Sequence, residues 1–585
     1  MWNNGPLKLF HPMEPLHLNH RFQDQLTMNT AIIGAGVSGL YAAYRLVTTN
    51  GTEATLSGDQ VQVFDLSHRI GGRLESVRLP GMKIVGELGG MRYMSSHRIV
   101  ATLIEQVFNK DLTSIPFPMG DDAHLLAYLR KQRLKINSWE EAQQKGKRLN
   151  TRYILNNKDR GFSANQLFNR IVYEVLMADP WFVKNFQGKA TNPSKYNYTF
   201  TLTLKDWDEV KPNLTYHFDG PYRGNKVRDI GFWNLIKDRI SQEGYNFLAD
   251  AGGYYSNTIN WNAAEAFPYM VGDFSNAGST YKTIDGGFDQ IAYTLANEYL
   301  KHEGAAIWME NKLMNFRRSK EKPSRYELMF MHVPTLTKWK AYADNIILAM
   351  PRRSLELLDQ YNFFFDSNKQ PLFRYNIDSV IIEPSYKILM GFESPWWNTL
   401  GQMHGHSITD LPMRQCYYFG TDPSDGHSLL LGSYNDMITV PFWEGLSKHP
   451  ELFQVRITDP AEEEGLKALA NVQATRIMVN EVMHQLKELH NTKNIPEPYV
   501  TWYKDWTRDP YGGGYHAWKA GYAINEVMPF MRRPINKENV FICGEAYSAL
   551  QGWVEGALCV AEKMLQEHFG RQWPEWLEKD YYLGW

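Results

Sequence analysis

A chain of 585 residues exceeds the about 250 to 300 that one hydrophobic core organises, so two or three domains fed by noncontiguous segments are expected. Hydrophobic content of 43% and charged content of 22% are ordinary for a globular protein, and a formal charge of -2 leaves no basic footprint for nucleic acid and no general pull toward anionic membranes. No run approaches the roughly 18 apolar residues that span a bilayer, and Cys416, Cys543 and Cys559 are too few and too scattered for a disulfide framework or a zinc site, so no metal is expected.

The first twenty residues, MWNNGPLKLFHPMEPLHLNH, carry prolines and polar interruptions where a secretory leader needs an apolar stretch, and a cytoplasmic protein is expected. Next, Ala31 to Leu40 (AIIGAGVSGL) reads as an apolar strand running into Gly34, Gly36 and Gly39, with Val37 and Ser38 opening a helix. In that pattern one glycine makes the tight turn, one admits a pyrophosphate to the backbone and one lets helix and strand pack closely. The helix then points its positive N-terminus at the phosphates. A second strand, Val61 to Asp65 (VQVFD), ends in an acid suited to ribose hydroxyls, with Leu66 beside it. The Gly/Ser/Thr-rich Thr48 to Gln60 reads as an inserted surface loop between them.

Farther along, Ile136 to Met177 interleaves charged and apolar residues at helical spacing, whereas about 365 to 515 turns β-rich and aromatic (YKILMGF, CYYFG, SLLLGSY, PYVTWY). Strand alternation puts Lys387, Leu389 and Gly391 on one face, where a lysine must reach solvent as a snorkelling edge residue or meet a buried water or acid. Most of the tryptophans of this half read as core. Asp509 to Tyr515 (DPYGGGY) reads either as a loop whose glycines allow close backbone approach or as a flexible surface loop. Near the end, Phe541 to Val554 (FICGEAYSALQGWV) is a second apolar run into glycines, at Gly544-Glu545 and Gly552-Trp553.

With His68 to Ser76 (HRIGGRLES), Gly86 to Arg92 (GELGGMR), Asp285 to Gln290 (DGGFDQ) and Asn345 to Pro351 (NIILAMP), these segments resemble the FAD-dependent amine oxidase superfamily from about residue 30 to residue 560. The resemblance implies an α/β fold with a Rossmann-like FAD-binding domain at 26–80, 280–360 and 525–575. A β-rich substrate domain would occupy 81–110 and 361–520, with a mainly helical insertion at 111–279. It implies non-covalent FAD held by Gly34, Gly36, Val37, Ser38, Gly39, Asp65, Leu66, Gly72, Arg73, Gly89, Gly90, Met91, Arg92, Leu313, Glu545, Gly552, Trp553 and Val554. A homo-oligomer, dimer or higher, is expected.

Within the superfamily the segments facing the flavin look most like the L-amino-acid oxidases, where an Arg, here Arg92, and a late-strand Tyr, here Tyr434, hold the substrate carboxylate. A bidentate guanidinium plus a phenol suits a planar carboxylate; the plainer reading has Arg92 bracing the flavin or a helix end. Lys387 would hold a water beside the flavin, and Gly552 and Trp553 would line the substrate's α-carbon. Tyr245 to Tyr255 and Ala263 to Tyr269 resemble the side-chain pocket of lysine-acting relatives, which would make Asp250 the acid answering a distal ammonium and Phe267 a tunnel wall; Asp250 and Glu265 read equally well as helix-surface carboxylates. Basic, broad or aromatic, and acidic substrates stay open. The implied reaction takes an L-amino acid and O₂ to a 2-oxo acid, ammonia and H₂O₂. The rivals are a 2-monooxygenase releasing CO₂ and an amide, a dehydrogenase with another acceptor, and a non-catalytic flavoprotein module.

Overall fold

The apolar run that ends at Gly34 forms the strand Leu26–Ile33, which lies inside a seven-stranded sheet. A computed structural model describes residues 26–49, 55–274, 278, 280–320, 326–456, 472–507 and 513–585. Leu26–Ile33 pairs in parallel with Val61–Phe64 on one side and with residues 341–348 of the strand Thr337–Leu348 on the other. Ala306–Trp308 and Val540–Ile542 extend the parallel set. Tyr326–His332 and Asn311–Arg318 add an antiparallel meander on the first half of Thr337–Leu348. Parallel strands covered on both faces need near-continuous apolar sequence, and Val61–Phe64 is buried at every residue. The helices Val37–Val47, Gln290–Leu300 and Val554–Phe569 supply one cover, and an aromatic layer including Phe64, Trp308, Phe330 and Trp339 supplies the other. The helices Val37–Val47 and Val554–Phe569, far apart in sequence, therefore meet in one layer. Arg45 and Tyr41 of the first helix both reach Glu562 of the last, at 2.9 and 2.7 Å.

A second seven-stranded sheet runs in the order Val500–Asp505, Ser385–Phe392, Ser428–Asp436, Gln415–Thr421, Gly405–Thr409, Leu126–Leu129, Gln132–Lys135. Its last two strands come from the stretch expected to be mainly helical. They form a hairpin whose two turn residues, Arg130 and Lys131, have φ of 48° and 61°. Two successive positive φ values give the turn twist that tight hairpins favour, but the usual Asn-Gly signature is absent, so the sequence carries no turn signal there. Between Ile136 and Met177 the helices are Ser138–Gln144 and Ala164–Ala178, the latter opened by a capping box from Ser163 to Gln166. Most of the other helices before residue 275 pack with Ala164–Ala178 into one apolar cluster, which also takes in Ala127, Leu129 and Ile408 of the second sheet.

Candidate active site

Three glycine-bearing turns converge on one cavity of about 930 Å³ that runs from Asn311, Leu313 and Leu358 past Gly34, Gly36 and Arg73 to Trp553, Arg92 and Tyr434. Gly34 sits at φ +118°, and a Cβ there would lie 2.3 Å from the Ala349 carbonyl oxygen. A Cβ on Gly39 would lie 1.9 Å from the Gly34 oxygen, so this glycine is the one that seats the helix on the strand turn, and it does not line the cavity. At Gly36 the only atom of the described residues within 4 Å of a Cβ is the Gly72 Cα, at 3.9 Å, which leaves the backbone open to a phosphate. Asp65 accepts the Ala35 N–H at 2.6 Å through one oxygen, and the Ser67 N–H and hydroxyl at 2.8 and 2.7 Å through the other. A carboxylate with about four acceptor sites keeps capacity for a ribose hydroxyl. Open backbone at a helix N-terminus, an acid at the next strand end and a guanidinium between them fit the pyrophosphate and ribose of FAD.

The recurring segments are tied to one another by buried carboxylates. Glu87 accepts from the Ser76 hydroxyl and the Phe288 N–H, both at 2.8 Å, and Asp289 accepts the Ser76 N–H at 2.9 Å. Burial raises the pKa of both acids. Glu545 accepts from Arg73 at 2.8 Å, from the His516 backbone at 2.9 Å and from the Gly552 N–H at 2.8 Å, and its other contact is the His516 ring at 2.9 Å. Burial alone would raise its pKa, but Arg73 and His516 hold the carboxyl far below its usual range. Glu545 thus fixes Gly552, and with it Trp553, relative to Arg73.

Arg92 and Tyr434 line the same end of the cavity. The Arg92 guanidinium stacks on the rings of Tyr281 at 4.3 Å and Phe117 at 5.3 Å. Among the described residues it makes no ion pair within 4 Å, and its one side-chain contact at hydrogen-bonding distance is the Met119 sulfur at 3.1 Å. Burial opposes its charge, but Tyr417, Tyr254, Tyr281 and Asp273 outweigh that and raise its pKa. Tyr434 packs edge-on against Tyr254 at 5.4 Å, and the Tyr254 and Tyr417 hydroxyls are 3.2 Å apart. Trp553 stacks on Tyr281 at 6.5 Å and meets His97 edge-on at 4.8 Å. A guanidinium stacked on rings, not paired with an acid, is a cation held ready for an anionic ligand.

Lys387 lies directly opposite Tyr434 across the sheet, and its ammonium is 4.5 Å from the centre of that ring. It is flanked by strands on both sides and 2% exposed, which rules out the snorkelling edge position. Instead it donates to the carbonyls of Gly89 at 2.6 Å and Glu87 at 3.1 Å, behind the cavity wall; burial, then the nearby Arg92, act to lower its pKa. Gly89, Gly90, Met91, Leu66, Gly72, Val37, Ser38, Leu313, Gly552 and Val554 all line the cavity.

Two expected pocket residues do not. The Asp250 carboxylate accepts from the Tyr153 hydroxyl at 2.6 Å and from Tyr255 at 3.3 Å, while residues 251–254 line the cavity in its place. Burial still raises its pKa. Phe267 is fully buried against Phe232 in the helical cluster, and Glu265 is paired with Lys211 at 2.9 Å. The resemblance pointed to an acid on Gln242–Ala251 but not to the side of that helix that faces the cavity. Of the glycine loop, residues 509–512 lie outside the described residues; Gly514 and Tyr515 line the cavity, and Arg73 donates to the Gly514 carbonyl at 3.3 Å. His406, Tyr417 and Asp273 also line it, and no sequence pattern singled them out. His406 stacks on its cross-strand partner Tyr417 at 4.6 Å; burial, then Arg92, push its pKa down to about 3. Asp273 accepts from Tyr281 at 2.6 Å.

No helix among the described residues is long and apolar enough to cross a membrane, no group of three metal-binding side chains occurs among them, and all three cysteines are buried and free. The family model for flavin-containing amine oxidoreductases matches residues 37–561. Aplysianin-A of Aplysia kurodai is 26% identical over 93% of this chain and 90% of its own length, and achacin of Lissachatina fulica 24% over 93% of each. An L-amino-acid oxidase of Bungarus fasciatus is 22% identical over 91% of this chain and 84% of its own. A solved putrescine oxidase shares the fold with a TM-score of 0.60 at 14% identity, over 94% of this chain and 100% of that one. Extending across nearly the whole sequence and meeting a cradle that fits the cofactor, that match shows that the chain belongs to the flavin-containing amine oxidoreductases, a family whose cofactor is FAD.

Proposed function

We propose that the protein is an L-amino-acid oxidase, which converts an L-amino acid, water and O₂ to a 2-oxo acid, ammonia and H₂O₂. The observation that carries this reading is the Arg92 guanidinium, free of any acid within 4 Å among the described residues, on the same cavity end as Tyr434 and Trp553. A substrate lacking a carboxylate would leave that cavity-lining cation with no acid within 4 Å among the described residues. When bound, FAD supplies the acceptor for the hydride that leaves the substrate's α-carbon. Arg92 and Tyr434 take the carboxylate and set the α-carbon's position. Trp553, fixed by the Gly552–Glu545 bond, walls that position from water, and Lys387 braces the Glu87–Gly89 backbone behind it.

The aromatic lining of Tyr254, Tyr281 and Tyr417 favours a broad or aromatic-preferring side-chain pocket over one for a distal ammonium, because the Asp250 carboxylate is engaged elsewhere. We attach the FAD non-covalently and divide the chain into the three domains of the expectation, with the hairpin at 126–135 completing the substrate sheet. An aerobic panel of L-amino acids scored for H₂O₂, 2-oxo acid and CO₂ tests the reaction: CO₂ with an amide indicates the monooxygenase, and flavin reduction without O₂ uptake a dehydrogenase. Denaturation that releases flavin into the supernatant checks the attachment. Sedimentation checks for a homo-oligomer.

A further inference from the structure

A second, smaller cavity of about 40 Å³ lies beside the first, lined by residues that include Ser256, Glu265, Tyr269, Glu383, Tyr515 and His516. Tyr269 and Tyr515 line both, so they form the partition between them. The chamber has polar side chains on its wall and exceeds the roughly 10 to 15 Å³ that one water requires. Glu383 is 1% exposed, and its Oε2 is buried without a hydrogen-bond partner among the described residues. It is the direct cross-strand partner of Tyr515 in the pairing of Val380–Glu383 with Tyr515–Trp518. The Tyr515 hydroxyl bonds that of Ser256 and lies 3.5 Å from Asp436, which is anchored by the Tyr255 and Ser256 N–H groups at 2.9 and 3.0 Å. The Tyr515 ring packs against Gly552, next to Trp553.

We propose that Glu383, acting through the Tyr515 hydroxyl and a water in this chamber, is the positioning residue that accepts the proton of the substrate's ammonium group. The inference rests on the reading of the large cavity as an amino-acid site. Hydride can leave the α-carbon only with the nitrogen lone pair available, so an ammonium N–H bond must first break with its electrons left on nitrogen. The proton passes to the Tyr515 oxygen as the Tyr515 proton moves, directly or through the water, to the Glu383 carboxylate; a neutral amine and a carboxylic acid result, and charge and atoms balance. The groups facing Glu383 suit this role. Burial, then Asp436 and Glu545, push its pKa up to about 8, against the smaller pull of Tyr515 and Ser256. His516 is engaged by Glu545, and Glu265 by Lys211. An acceptor with a pKa near that of its donor is an efficient proton partner.

The test is Glu383→Gln, which keeps the shape and removes the titration. In the wild type, the rate of anaerobic flavin reduction at saturating L-phenylalanine, or the best substrate of the panel, rises through about pH 8 and levels off. In the variant that limb moves up by at least about one pH unit, about a tenfold slower reduction on the rise, and the gap closes at high pH. Tyr515→Phe shifts it the same way. Infrared difference spectra of the substrate-free protein show a carboxylic-acid band that titrates in the same range and is missing in Glu383→Gln. A uniform loss at all pH, an unmoved limb, or no such band overturns the inference. Flavin that no amino acid reduces overturns the amino-acid reading and this one with it, whereas normal reduction with an unmoved limb overturns this one alone.

Discussion

The two ends of the large cavity are built differently. The nucleotide end is lined largely by backbone, with Gly34, Gly36 and Gly72 carrying no side chain, helix Val37–Val47 starting there, and Asp65 and Arg73 as its charged side chains; most of these residues come from two short stretches, 34–38 and 65–73. At the substrate end Arg92, Tyr254, Tyr281, His406, Tyr417, Tyr434 and Trp553 each arrive on a different element or loop, and the contacts are ring stacks and hydroxyl pairs. A backbone cradle tolerates almost no added atom but asks little of its neighbours. A side-chain cluster tolerates conservative change one residue at a time, because each group contributes a separable part of the energy.

The largest expected effect strikes the first end. Gly39→Ala places a methyl group 1.9 Å from the Gly34 oxygen, where only backbone displacement relieves it. A loss beyond about 4 kcal/mol is expected, seen as flavin-free or insoluble protein. Holoenzyme with full flavin absorbance would break the comparison. At the second end, Arg92→Ala should retain FAD but lower kcat/KM at least about a hundredfold, about 2.7 kcal/mol of lost transition-state stabilisation; loss of flavin with unchanged kinetics in the remaining holoenzyme would instead make Arg92 a brace.

Asp250→Ala sharpens the boundary of the substrate end. Because its carboxylate serves Tyr153 and Tyr255, the substitution should cost about 1 to 3 kcal/mol of stability, read as a lower Tm, with kcat/KM changed equally across basic and aromatic substrates. A selective rise in KM for L-lysine would return Asp250 to the pocket. The smallest effect is expected of Tyr434→Phe, which removes one hydrogen bond to the substrate carboxylate worth roughly 1.5 kcal/mol, about a tenfold fall in kcat/KM. A loss equal to that of Arg92→Ala would mean that the phenol does more than bind.

The same contrast separates what could be read in the chain from what could not. Gly34, Gly36, Gly39 and Asp65 were legible one segment at a time, because strand, turn and helix start are local and a glycine's steric job follows from its immediate neighbours. The Glu545 hub was legible only in part: its segment marked it, but its partner His516 lies in a run with no distinguishing spacing. Lys387 and Tyr434 were each singled out alone, while their pairing depends on the register between Ser385–Phe392 and Ser428–Asp436.

By itself, then, the sequence determined the dinucleotide turn, the α/β and β-rich halves and the cation at Arg92, all consequences of local sterics, periodicity and charge. Only the tertiary structure decided that Asp250 turns toward Tyr153 and not the cavity, that the hairpin at 126–135 joins the second sheet, and that Glu383, Tyr515 and Asp436 share a buried corner. Which side of a helix faces a cavity, and which strands lie side by side, depend on packing among segments hundreds of residues apart, and no local pattern encodes that choice.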